Sequence, residues 1–431
     1  MGWTTNTRKE KRKMTVSTLD RATTGKLLAL VVLLTALATS LLPAARPSHA
    51  STAFVEKIVF SSDRTTGMGV DNPTGDYEVF KMNPDGTGVR QLTFNEVDDW
   101  DPTLSPDGKK IAYETNVTSS SNPEGDWEVY AMNTPDGKGK KNLTNNGAYV
   151  DDYDPVFSPG GKRIAYTSLG IQDSNPTDDE DVYVMNALDG SGKKNLSNNG
   201  LEVGTNYPID DFNATFSPDG KRIAYTSLGA QVSNPEGDDE VYRMNALDGT
   251  NKKNLSNNGL DIDDYLPRFA PDGKRIAYES EGIQNSNLQG DEEVYVMDTL
   301  DGTGKKNLTN TGADADDEVP RFSPGGKRIA YESHGIQKSN PEGDDEIYVI
   351  GALDGLNKKN LTNNGAGVYD YYPDYSPDGT RFSYTSEGIQ RSNPEGDREV
   401  YRMSALDGTG KKNLTNNASN DLDSDGGVQA R

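Results

Sequence analysis

A four-residue turn returns along the chain at nearly constant intervals, and this periodicity limits the fold more than any other feature. Ser-Pro-Asp-Gly or a near copy begins at Ser105, Ser158, Ser217, Ala270, Ser323 and Ser376, at spacings of 53, 59, 53, 53 and 53 residues. Each interval holds several short β-rich runs, so the repeat reads as a propeller blade and not as a helical solenoid unit. In one copy, Pro155 to Phe157 leads into the turn, Lys162 to Ser168 continues as strand, and a polar loop follows. Asp181 to Asn186 and Lys193 to Ser197 then flank a second turn, Ala-Leu-Asp-Gly-Ser-Gly. Pro presets φ, Asp bonds its own backbone and Gly accepts φ > 0, so both turns suit hairpins. Each repeat therefore supplies four antiparallel strands, A to D.

The strand-C unit occurs seven times, starting at Asp76, Asp126, Asp179, Asp238, Asp291, Asp344 and Asp397, whereas strand A occurs six times. The N-terminal copy opens directly at strand B, Glu56 to Ser62. The expectation is an all-β, seven-bladed β-propeller of four-stranded antiparallel blades over 54–415, its first blade lacking its own innermost strand. Two alternatives stay open. A C-terminal segment, with Gly427 to Arg431 as the candidate, closes the first blade, or that blade stays three-stranded. Residues 416–431 read as an acidic tail in which Asp421, Asp423, Asp425 and Gly426 imitate the start of an EF-hand loop without its twelfth-position Glu.

Residues 1–50 form a separate segment. Seven Lys and Arg residues between Arg8 and Lys26 precede an apolar run from Leu27 to Leu42, and Ser48-His49-Ala50 ends on small residues. This is the pattern of a secretory signal peptide cleaved after Ala50. A run of 16 residues is short for a span of about 20, which argues against stable membrane insertion after cleavage. A secreted or periplasmic location follows. With no Cys, stability must come from packing, ring closure or bound ions.

The pattern P-x-F-SPDG-KRIAY, then D-x-EVYVMN, DG-T/S-G and NLT, resembles the WD-like propeller repeats of the TolB family. The resemblance covers roughly Phe54 to Thr415. TolB proteins join an α/β domain to a six-bladed propeller that engages a peptidoglycan-associated lipoprotein. This sequence has seven repeats and no stretch set aside for such a domain, so the resemblance implies the fold more firmly than a Tol-Pal role.

Charge is sorted along each repeat. Lys and Arg pairs such as Lys162-Arg163 and Lys193-Lys194 sit beside the A–B and C–D turns, which predicts an electropositive rim on that face. The loops of the opposite face carry acids. Aspartate pairs lead into strand A at Asp98-Asp99, Asp151-Asp152, Asp210-Asp211, Asp263-Asp264 and Asp316-Asp317, with Asp370 alone in the last copy. Aromatic residues follow at Trp100, Tyr153, Phe212, Tyr265 and Tyr371, while Glu318 breaks the series. An acidic, aromatic channel mouth is expected, either as a ligand surface or as wedges between blades. No cofactor is required. Asp261, Asp263, Asp264, Asp314 and Asp316 are spaced as a structural calcium ion would want, and solvated acidic loops are the alternative.

A net charge of −24 disfavours nucleic acid and anionic lipid as partners. Catalytic groups are sparse, with no Cys, no G-x-S-x-G motif, and His334 as the one His beyond residue 50. The sequence thus points to a monomeric, non-catalytic binding or scaffold module of the cell envelope, with a protein segment, cationic peptide or glycan as partner. A carboxylate-dependent polysaccharide hydrolase or lyase and a purely structural envelope component are the alternatives.

Overall fold

The computed structural model describes residues 57–423 apart from 203, 205, 206, 311, 313 and 314. The expected signal peptide and Gly427–Arg431 lie outside the described residues. Seven four-stranded antiparallel sheets succeed one another along the chain, with no helix among the described residues. Blade 4 shows the unit: strand A is Asp210–Phe216, B is Arg222–Leu228, C is Glu240–Asn245 and D is Lys253–Asn254. The other complete A strands are Asp99–Leu104, Asp151–Phe157, Asp263–Phe269, Asp317–Phe322 and Tyr369–Tyr375.

The A strand of blades 2 to 7 slips register against B after the residue following the buried aspartate, between Tyr153 and Val156 for example. The next residue in each blade has positive φ: Asp101, Asp154, Asn213, Leu266, Val319 and Tyr372. This bulge turns the backbone at the channel wall and re-aims the side chains on either side.

The apolar cores lie between blades. Ala165, Val182 and Leu196 of blade 3 pack with Phe216, Ile223 and Tyr225 of blade 4, and the pattern repeats around the ring. Tyrosines paired across strands B and C fill blades 2 to 7, as in Tyr166 with Tyr183 at 5.6 Å between ring centroids, and Phe60 with Phe80 takes their place in blade 1. Many small cores explain how a chain with only 32% hydrophobic residues folds. Blades also dock by backbone. A Cβ on Gly302, in the C–D turn of blade 5, would stand 1.9 Å from the Leu255 carbonyl of blade 4, so only glycine permits this approach.

The first blade is completed by the C-terminal chain. Asp421–Asp423 pairs antiparallel with Ile58–Ser62, placing Ser62 opposite Asp421 and Phe60 opposite Asp423. Arg64, itself buried, holds the fully buried Asp421 through an ion pair and stacks over Phe60 and Phe80 at 5.3 and 4.9 Å. The Asn420 amide donates to Asp63 Oδ1 at 2.7 Å. Asp421 and Asp423, the first two positions of the stretch that imitated an EF-hand start, thus lie in an innermost strand. Its signal was present: Thr415, Asn417, Asn420 and Asp421 repeat the spacing of Thr93, Asn95, Asp98 and Asp99. Asn417 donates to Asp421 as Asn95 donates to Asp99.

Candidate functional site

The paired aspartates divide into two roles, and neither is a free carboxylate ringing the mouth. Asp99, Asp152, Asp211, Asp264, Asp317 and Asp370 are fully buried between blades, which corrects their placement at a solvent-facing mouth. The physical reason is a polar relay that needs them inside. Glu240 on strand C of blade 4 accepts from Ser256 Oγ and, at 2.8 Å, from the Asn258 amide N–H. The Asn258 side chain in turn donates to Asp264 of blade 5. Burial raises Glu240 to about 7 and Asp370 to about 8, well above the usual carboxylate range.

The first member of each pair is half-buried and clasps the preceding blade. Asp98, Asp151, Asp210, Asp263 and Asp316 each accept the backbone N–H at the entry to strand C, from Tyr77, Trp127, Glu180, Asp239 and Glu292 at 2.8 to 3.3 Å. Among the described residues, the aspartates proposed for calcium form no set of three carboxylates in ligand range, and Asp314 lies outside those residues. Asp263 and Asp264 are held in the separate roles above, and Asp261 is exposed.

Several of the turn-face cations also bond within the ring, while others, among them Lys162, Lys193, Lys221 and Lys274, stay exposed. Arg163 donates to the Ala246 and Gly220 carbonyls of the next blade, and Arg275 does the same to Ala352 and Gly326. Lys194 and Lys359 reach turn carbonyls of the following blade. Lys358 instead inserts between sheets, its Nζ 3.7 Å from the buried Asp317 Oδ2 and 5.0 Å from the Tyr348 ring centroid. Side-by-side stacking brings turn carbonyls against each strand start, and long cationic side chains satisfy them.

What faces the mouth is a half-buried band of aromatics and glutamates. Trp100, Tyr153, Phe212, Tyr265 and Tyr371 are all half-buried, as is Glu318. Trp100 stacks on Tyr77 at 4.1 Å, while the hydroxyls of Tyr153, Tyr265 and Tyr371 donate to Glu180, Glu292 and Glu387. Arg398 Nε donates to Glu387 at 2.9 Å. Carboxyls crowd the blade 5 and 6 side. Glu318 is pushed up to about 9 by burial and by Glu292. Glu281 is raised by burial and by Glu292, Asp263 and Asp316. His334, exposed here, has Nδ1 2.7 Å from Asp345 Oδ1.

Deeper in the channel stands a group the repeat pattern did not single out. Asp101, Glu114 and Asp154 bring carboxylate oxygens within 4.8 Å of one another. Asp101 is open to water yet hemmed in by protein, and this confinement, with Asp154 beside it, pushes its carboxyl up to about 6. Glu114 also accepts the Asp154 amide N–H, as Glu279 and Glu332 accept those of Val319 and Tyr372. The signal was a Glu-for-Thr exchange in the strand-B run, Tyr-Glu-Thr or Tyr-Glu-Ser in place of Tyr-Thr-Ser.

No family model matches the chain. It is 27% identical over 278 residues to the Tol-Pal system protein TolB of Francisella tularensis, covering 64% of this chain and 54% of that protein. The chain is a TolB-like β-propeller protein. The TolB-like repeats are also 29% identical over 290 residues to dipeptidyl-peptidase 5 of Porphyromonas gingivalis, covering 59% of this chain and 40% of the peptidase. The chain thus spans about half, or less, of the length of these curated relatives. Among solved structures, the oligogalacturonate lyase of Vibrio parahaemolyticus aligns with TM-score 0.55 at 13% identity, over 84% of this chain and 87% of that one, a likeness of fold alone.

Proposed function

We propose that this TolB-like propeller is a non-catalytic, exported binding module of the cell envelope whose mouth takes a cationic segment of a partner protein. The observation that carries the reading is the crowding of Glu281, Glu292 and Glu318 with Asp263 and Asp316 on one side of the mouth. The neighbouring carboxylates that raise Glu281 and Glu318 are relieved by an arriving Lys or Arg, and aromatic neighbours add cation–π contact. Similarity to a Tol-Pal protein supports a protein partner, and the residues 1–50 pattern supports export. Turnover is not part of this reading: the sequence offers no Cys, no G-x-S-x-G motif and one His beyond residue 50.

Calorimetric titration with a lysine-rich peptide, at low and at physiological salt, tests the mouth. Binding that weakens with salt and is lost in Glu292→Gln/Glu318→Gln is expected. Equal binding by wild type and that variant would remove the proposal, as would hydrolysis of dipeptidyl or polysaccharide substrates by the purified chain.

A further inference from the structure

The loop between strands B and C ends in every blade on an aspartate at the entry to strand C. Both side-chain oxygens of Asp126 and Asp397, and one each of Asp76, Asp179, Asp238 and Asp344, are sealed from water and take no hydrogen bond. Desolvating a carboxylate with neither a donor nor a cation beside it is costly, and the same cost recurs in six blades. Sealed oxygen acceptors of this kind suit a metal ion.

The copies are not equivalent. In blades 1 and 3 the loop reads Asn-Pro-Thr, and the hydroxyls of Thr74 and Thr177 donate to Asp76 and Asp179. Blades 2 and 4 carry Asn-Pro-Glu-Gly-Asp instead, with Glu124 and Glu236 exposed on the loop. There the following blade contributes Asp151 or Asp263, which spends Oδ1 on the Trp127 or Asp239 N–H at 2.8 or 3.1 Å and keeps Oδ2 at the same loop end. Asp239 adds a further sealed oxygen without a hydrogen bond in blade 4. Blade 5 has Leu288-Gln289 in place of Pro-Glu, and blades 6 and 7 are followed by Tyr369 and Asn420 where Asp151 and Asp263 stand. The full acidic set is thus confined to blades 2 and 4. Burial pushes the Asp126 and Asp238 carboxyls up, the Val150 and Ile262 amides pull them down, and Asp151 with Glu124, or Asp263 with Glu236, push them up again. The Ile262 N–H stands 3.5 Å from Asp238 Oδ2, a long contact for a buried charge.

We propose that the loops ending at Asp126 and Asp238 each hold one calcium ion, on the sealed aspartate, the aspartate of the following blade and the loop glutamate. Every donor is a hard oxygen, and two fixed carboxylates with one exposed, mobile glutamate suit the irregular shell of calcium better than the strict octahedron of magnesium. Water fills the remaining places. Each ion ties a B–C loop to the next blade, a cross-link in a chain without Cys. Asp263 alone is shared with the aspartates whose spacing suggested calcium and with the acidic mouth, and the Asp126 site is separate from both.

The test is calorimetric titration of the EDTA-treated full chain with calcium and, separately, with magnesium. Two calcium ions per chain are expected, one in Asp126→Asn or Asp238→Asn and none in the double variant. Asp76→Asn, whose carboxylate already accepts from Thr74, should leave the count at two. Calcium should raise the melting temperature of wild type and not of the double variant, by linkage to the folded state. In EDTA the double variant should melt no lower than wild type, because Asn keeps the shape and removes a buried charge, which separates loss of an ion from loss of the fold. Glu124→Gln/Glu236→Gln changes only exposed side chains and should weaken calcium by about tenfold, a safeguard if the Asn variants misfold. The proposal is overturned if wild type binds no calcium, if magnesium binds as well as calcium, or if the folded double variant binds calcium like wild type.

Discussion

Replacing Asp421 with Ala tests whether the C-terminal strand holds the ring shut. Asp421 is fully buried, its side chain pairs with Arg64, and its backbone N–H donates to the Arg398 carbonyl of blade 7 at 2.7 Å. The substitution leaves the backbone bond in place but strands the Arg64 charge between Phe60 and Phe80. Breaking a buried pair by removing one partner costs about 3–5 kcal/mol, because the remaining charge is desolvated and uncompensated. Asn417 loses its acceptor as well. Urea denaturation followed by tyrosine and tryptophan fluorescence reads the loss directly. The double variant Arg64→Met/Asp421→Leu should recover most of it, since an apolar pair of similar size carries no desolvation penalty. Limited proteolysis should nick Asp421→Ala near the first blade before the other blades. An unchanged midpoint for Asp421→Ala, or a double variant weaker than the single, would refute closure by this strand.

Stability should fall as pH rises from about 5 to about 8. The folded-state pKa values of Asp99 (about 6), Glu240 (about 7), and Glu78, Asp370 and Glu399 (each about 8) lie above the ordinary carboxylate range. Protons held by the folded state stabilise it fully at low pH and are lost as pH passes these values, so a melting temperature that is flat or rising across this range contradicts the relay. Gly302→Ala should destabilise more than Gly304→Ala, although both glycines have positive φ. The new methyl meets Leu255 in the first case and nothing within 4 Å in the second. The difference should be about 1–3 kcal/mol, the usual cost of overpacking, and equal losses would discount blade docking through this turn.

Much of the architecture was readable from spacing. Seven strand-C units and six Ser-Pro-Asp-Gly-type turns specified blade number, strand order and the missing innermost strand, because turn chemistry is local and a repeat must stack to bury its faces. The closing strand was equally written in the chain at Asn417, Asn420 and Asp421. It passed for a tail because three ladder residues, without the following Pro and turn, carry too little β pattern to stand out.

The candidate sites were less legible, and charge shows why. Sequence sorts Lys and Arg to one face and Asp to the other, but it cannot say which are spent inside. Whether Asp264 meets water or Asn258, six residues back at the end of the preceding blade, and whether Arg163 meets solvent or the Ala246 carbonyl, 83 residues on, depends on how neighbouring blades dock. The same holds for Arg268 and Arg321, 53 residues apart in the sequence, which adjacent strands set in one cavity. The sequence by itself determined the blades, because strands and turns follow from local pattern. Only the tertiary structure decided which charges bind the ring together and which remain at the two ends of the channel, because burial and pairing are properties of contacts between repeats.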